Sequence, residues 1–163
     1  MKLSALSILL NKEFIPNKKL YLVSGNEISL MEKISSIIIE KFQKTKNTSL
    51  KNISSIDNFV DETGLFENKR LFIAKNCKGF DNKNLEKIRG ADCGFIFIQE
   101  NSSKTKKVKN FFLKHEDCCL IDCYELDKES KVKVLNEFLN FNKIKINRDV
   151  YWLLIEKIEG KYI

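Results

Sequence analysis

LYLVSGNEISLMEK, residues 20–33, decides how the rest of the chain is read. Leu20 to Ser24 is a short apolar run of the kind that forms a strand buried on both faces. Gly25 and Asn26 turn the chain, and Asn26 is placed to cap a helix. From Glu27 to Phe42 the apolar residues fall at Leu30, Ile34, Ile37, Ile38 and Phe42. That spacing gives a helix with one face for a core.

Working outward, the same alternation continues. Ser4 to Leu10 reads as a short apolar helix that stops before Pro16. Leu50 to Ile53 is a weak strand in a polar stretch, and Ile56 to Leu65 a short helix. Leu71 to Ala74 (LFIA), Phe95 to Ile98 (FIFI) and Cys119 to Cys123 are clear strands. Leu85 to Ile88 sits in a short helix. Val108, Phe111 and Phe112 mark a basic helix from about Thr105 to Lys114. Apolar strands separated by helices predict an α/β fold, a parallel sheet covered on both faces.

After Leu126 the pattern changes. Asp127 caps a helix running to Phe141, with Val132, Leu135, Phe138 and Leu139 inward. A second helix, capped by Asn147, runs to Ile158 and ends at Gly160. Two helices without a strand between them predict a core domain at 1–126 and the start of a small helical domain at 127–163. Two helices do not bury both apolar faces alone, so this second domain reads as truncated.

Composition narrows the function. The 163 residues are 43% hydrophobic and 31% charged, with Gly 6 and Pro 1. Collagen-like, low-complexity and disordered classes are excluded. No apolar run approaches the roughly 20 residues of a membrane span, and the N-terminus has no signal-peptide cleavage pattern. A net charge of +7 suggests nucleic acid. Nearly all of it is Lys, however, alongside abundant Ile and Asn, the composition of an AT-rich genome. Steering needs clustered charge, not net charge alone.

The available chemistry is sparse. A phosphate loop needs G-x-x-x-x-G-K-[ST], whose amides wrap the phosphates. SGNEISLMEK has one Gly, no Gly-Lys pair, and Glu27 where a phosphate would sit. Lys75 and Asn76 follow LFIA where a magnesium-binding acid is needed. His115 is the only histidine. Cys118, Cys119 and Cys123 alternate along a strand and point to opposite faces, so they do not share a zinc. The five cysteines, Cys77 and Cys93 included, read as small buried apolar side chains of a reducing compartment. No catalytic residue, nucleotide site, metal or cofactor is expected.

Two surface features remain. In DETGLFENKR, residues 61–70, Leu65 and Phe66 are adjacent large apolar residues in a charged segment. They either fold back onto the core or form an exposed wedge for a partner's pocket. Lys104, Lys106, Lys107, Lys109 and Lys114 make a basic helix, either a solvated face or a contact for DNA.

Several segments together resemble the delta subunit family of bacterial DNA polymerase III. They are LYLVSGNEISLMEK, GLFENKRLFIAKN, FIFIQENSSKTKKVKNFFLKH, and the tail from Cys123 to Gly160, in family order over most of residues 18–163. The resemblance implies an AAA+ like core with a degenerate nucleotide site, followed by the first helices of a lid domain. It implies a clamp-loader subunit of the replicative DNA polymerase holoenzyme, acting in the cytoplasm without hydrolysing ATP itself. Leu65 and Phe66 occupy the place of the family's hydrophobic wedge, which binds and opens the sliding clamp, the beta subunit. The other implied partners are the remaining loader subunits and DNA. Gly64 departs from the Ser common before the pair, the stretch after Phe42 matches the family's second strand poorly, and the family's C-terminal helical domain is not in this sequence. A nucleotide-binding enzyme with an atypical site and a basic DNA-binding module are the alternative function classes.

Overall fold

In the computed structural model, residues 1–46, 48–57, 59 and 70–157 are described. The strands are β1 (Lys2–Ser4), β2 (Leu20–Gly25), β3 (Ser49–Asn52), β4 (Arg70–Lys75), β5 (Gly94–Glu100) and β6 (Cys118–Cys123). The helices are α1 (Ala5–Leu10), α2 (Ile28–Lys46), α3 (Asn82–Arg89), α4 (Ser103–Lys114), α5 (Lys128–Phe141) and α6 (Arg148–Lys157). A single 3₁₀ turn, Lys12–Phe14, follows α1.

All six strands are parallel, in the order β1-β6-β2-β5-β4-β3. The predicted parallel sheet is present, with two strands beyond the clear apolar ones. β1 pairs Lys2 with Leu120 at one edge, and β3 pairs Leu50 with Leu71 at the other. All six residues of β2 are buried. Its alternation divides the core into two layers. Tyr21 and Val23 join Leu30, Ile34 and Ile38 of α2 and Ile8 of α1 on one face. Leu20 and Leu22 join Leu85 and Ile88 of α3 and Val108 and Phe112 of α4 on the other. Leu85, Ile88, Val108 and Phe112 thus lie where their helical spacing predicts.

Caps follow local chemistry. Asp81, Ser102 and Asp127 each accept the amide of the residue three positions on, starting α3, α4 and α5. Asn147 Oδ1 accepts Val150 N–H at 2.8 Å and starts α6. Asn26 does not cap α2. Met31 N–H reaches Glu27 O at 3.0 Å, which places the cap one residue later. The Glu27 amide is drawn away to Cys123 O at 3.3 Å, so the turn runs one residue longer than expected. Ile56 and Asp57 are not helical. The rest of the expected helix at 56–65 lies, except for Phe59, outside the described residues.

α5 packs against α1, and α6 pairs with α5. Of the residues predicted to face inward on α5, Leu135 is buried at 5% exposure, whereas Phe138 is 53% exposed. The described neighbours of α5 cover the Leu135 side and leave Phe138 in solvent.

β2 meets β6 most closely at Gly25. A Cβ built there would lie 1.7 Å from Cys123 O and 2.4 Å from its carbonyl carbon. Only a hydrogen fits, because the obstacle is backbone in a central strand. Gly25→Ala is therefore expected to destabilise the fold by about 3 kcal/mol or more, the upper end of overpacking costs. At Gly90 a Cβ meets nothing nearer than Lys87 O at 3.5 Å. Gly90→Ala should stay within about 1 kcal/mol of the parent. Urea midpoints of the two variants test the contrast.

Candidate functional site

Strand order reverses about β2, with β6 on one side and β5, β4 and β3 on the other. In open α/β sheets the crevice beyond such a point, at the carboxyl ends of the strands, is where ligands bind. Here the crevice is closed by the protein itself. Asn101 N–H donates to Gly25 O at 3.0 Å, and Glu27 N–H donates to Cys123 O. The Glu27 carboxylate accepts Ser29 Oγ at 2.8 Å. The loop after β2 thus turns the Glu27 amide toward β6 and places a carboxylate at the start of α2.

The carboxyl edge carries a charge cluster that the sequence reading missed. Asp122 of β6 accepts Lys109 Nζ of α4 and Lys2 Nζ of β1, each at 2.9 Å. Lys109 also donates to Tyr124 Oη at 3.2 Å. Burial alone would raise the Asp122 pKa, but the hydrogen bonds from Lys2 and Lys109 outweigh it and hold the carboxyl below its ordinary value. Lys109 is also partly desolvated, yet the Asp122 bond carries its pKa upward. Lys109 therefore ties α4 to β6, and its side chain is only 15% exposed. It separates from the other expected DNA contacts, since Lys104, Lys106 and Lys107 are exposed on the outer side of α4.

The thiols divide as their alternation predicts. Cys119 and Cys123 face the α2 layer, and Cys118 faces the α4 layer. All five are buried thiols. Burial pushes Cys77 and Cys119 up to about 11 and Cys118 up to about 12. Thiols so raised are poor nucleophiles and metal ligands near neutrality. Among the described residues, no group of three or more His, Cys, Asp or Glu could hold a metal. His115 is half-buried against Phe111, and Arg89 Nη1 lies 3.0 Å from its Nδ1.

That contact brings α3 and α4 together along an open groove of about 420 Å³, lined by Asn82, Lys83, Glu86, Asn110, Lys114 and His115, with Phe111 at its floor. Lys83 and Lys87, one turn apart on α3, were not among the expected site residues. Their spacing was the available signal, but nothing in the sequence placed α3 beside α4. Leu65 and Phe66 lie outside the described residues.

No family model matches the chain. A probable DNA polymerase III subunit delta of Rickettsia prowazekii (strain Madrid E) is 26% identical over 148 residues, 86% of this chain and 46% of the relative. The DNA clamp loader delta protein of Bacillus subtilis superposes with a TM-score of 0.54 at 16% identity, over 96% of this chain and 52% of that one. The chain resembles a DNA polymerase III delta subunit. The sequence likeness and the shared fold both point there, as the motifs from LYLVSGNEISLMEK onward imply. Domain III of the Thermotoga maritima replication initiation protein DnaA gives a TM-score of 0.45 at 8% identity, over 96% of this chain and 75% of that one. The chain spans about half the length of the two delta proteins. No helix among the described residues is long and apolar enough to cross a membrane.

Asp122 gives a pH test. Its folded pKa lies below the unfolded value of about 3.9. Its stabilisation is thus present above that value and is lost as pH falls through the folded pKa. Asp122→Asn should lower stability at pH 7 by about 1.5–3 kcal/mol, the range for hydrogen bonds to charged groups. It should also flatten the acid limb of a stability profile from pH 7 to pH 2. An unchanged acid limb would assign the acid sensitivity to other carboxylates.

Proposed function

We propose that the chain is the N-terminal portion of a clamp-loader delta subunit, which binds the sliding clamp and favours its open form without hydrolysing ATP. The observation that carries this is the 26% identity to a delta subunit over 86% of the chain. The parallel sheet with helices on both faces supports it. In this reading residues 1–126 are an AAA+ like core, and 127–163 begin the helical lid. The sliding clamp, the other loader subunits and DNA are the partners, and the site of action is the cytoplasm.

Leu65 and Phe66 are the proposed anchors. They lie in a segment whose other members are mostly charged or small, between Ile56, at 2% exposure, and the buried strand β4. An apolar pair entering a clamp pocket removes itself from water, worth roughly 1.5–3 kcal/mol per side chain. The chain opens the clamp only so far as it binds the open form more tightly than the closed form. The closed loop after β2 supports a delta role in which nucleotide is bound and hydrolysed by other subunits.

Two outcomes follow. Isothermal calorimetry with ATP and Mg²⁺ should give no specific binding at micromolar concentrations, and a Mg²⁺-dependent micromolar site would favour the nucleotide-binding reading. The purified chain should capture a sliding clamp, and Leu65→Ala with Phe66→Ala should weaken capture at least about 30-fold. The double variant should keep its melting temperature if the pair is exposed. Unchanged capture, or lost capture with a collapsed melting temperature, would remove the case for a wedge.

A further inference from the structure

We propose that the outer faces of α3 and α4 together form a binding surface for the phosphate backbone of duplex DNA. The two helices cover the same face of the sheet, since Leu85 and Ile88 share one core cluster with Val108, Phe111 and Phe112. Lys83 of α3 and Lys114 of α4 line the groove between them, Lys87 lies one turn further along α3, and Lys104 and Lys107 lie on α4. All five are exposed. None of the five is drawn into an ion pair among the described residues.

Three of the acids nearby are engaged, while Glu116 stands exposed just after α4. Glu86, which lines the groove, accepts Arg89 Nη2 at 2.6 Å and faces His115 Nε2 at 3.8 Å. Asp81 accepts the Asn84 amide as the cap of α3. Asp117 lies 3.6 Å from Arg89. On the opposite face of the sheet, α2 carries Glu32 and Glu40 with its lysines, and Glu32 holds Lys75 at 2.9 Å. Five exposed lysines on two helices of one layer, none in an ion pair among the described residues, supply the clustered charge that an electrostatic footprint on nucleic acid requires.

The side chains also select the form of the partner. Phe111 and Phe112 are 7% and 0% exposed, so this face offers no aromatic platform for unstacked bases. Lysines are compact point charges suited to phosphate and poor at reading base edges. Asn82 and Asn110 add neutral donors at the groove. A regular double-stranded backbone fits such a surface better than a flexible single strand. The choice of DNA over RNA rests on the clamp-loader reading; the charge arrangement does not.

Fluorescence anisotropy of the chain with a labelled DNA duplex of mixed sequence tests this at several salt concentrations. Affinity should fall steeply with salt, with a log–log slope of about −0.9 per phosphate contact. Replacing Lys83, Lys87, Lys107 and Lys114 with Gln should make that slope shallower by about 3–4 and weaken low-salt binding more than about tenfold. The same net change made at Lys12, Lys44, Lys133 and Lys145 should leave most of the binding. Equal loss in both variants would show net charge acting without a surface, and would overturn the proposal. Tighter binding to an RNA duplex or to single-stranded DNA would overturn the assignment to duplex DNA. Clamp capture by the α3–α4 variant should stay at the parent level, so that the two readings fail separately.

Discussion

The close approach of β2 to β6 at Gly25 and Cys123 O governs the whole molecule. A strand flanked on both edges must give every backbone donor and acceptor to its neighbours, and β2 does so in register with Phe95 through Glu100 and with Cys118 through Cys123. Buried on both faces, it is apolar at odd and even positions alike from Leu20 to Val23. Tyr21 and Val23 then recruit α1 and α2, and Leu20 and Leu22 recruit α3 and α4. Each layer follows from one parity of a single six-residue strand.

The same constraint shapes what the protein can do. Where a phosphate-binding protein opens the turn after its first central strand and aims amides outward, this chain tightens it against β6. The Glu27 amide goes to Cys123 O and the Gly25 carbonyl to Asn101 N–H. In the proposed function, binding is accordingly carried by parts of the chain away from this crevice. The proposed binding parts are the Leu65 and Phe66 pair, read from the sequence, and the lysines of α3 and α4. Both suit large partners better than small molecules.

Much of this was legible in the sequence, and the misses have physical reasons. LYLVS, LFIA, FIFI and the cysteine strand could be read because burial on both faces leaves a continuous apolar run. β1 could not, being three residues at an edge. β3 was only weakly visible because all four of its residues are exposed and it is held by backbone pairing to β4. The cap of α2 was misplaced by one residue because a tertiary bond from the Glu27 amide competes with the local preference of Asn26. Phe138 follows the helical period yet faces solvent, since period gives a face and only neighbours bury it. The wedge pair lies outside the described residues and still rests on sequence alone.

The lysines show why charge was the least legible feature. Composition cannot separate codon bias from selection, because both raise the count of Lys. Position separates them. Lys109 and Lys107 differ by two residues on one helix. The first is held by Asp122 and Tyr124 and fastens α4 to the sheet, while the second stands in solvent. Lys83 and Lys87 are distant in sequence from both, and the shared core beneath α3 and α4 puts them on the same layer. A drift toward Lys would add cations to both sheet faces alike and leave them beside acids as often as not. On α2 that mixture is seen. Around α3 and α4, Asp81 caps a helix, Glu86 and Asp117 face Arg89, and Asp122 of β6 holds Lys109, while Lys83, Lys87, Lys104, Lys107 and Lys114 stand exposed. Which lysines share a layer is set by tertiary packing, so it becomes visible only once the two helices have been placed on the same side of the sheet.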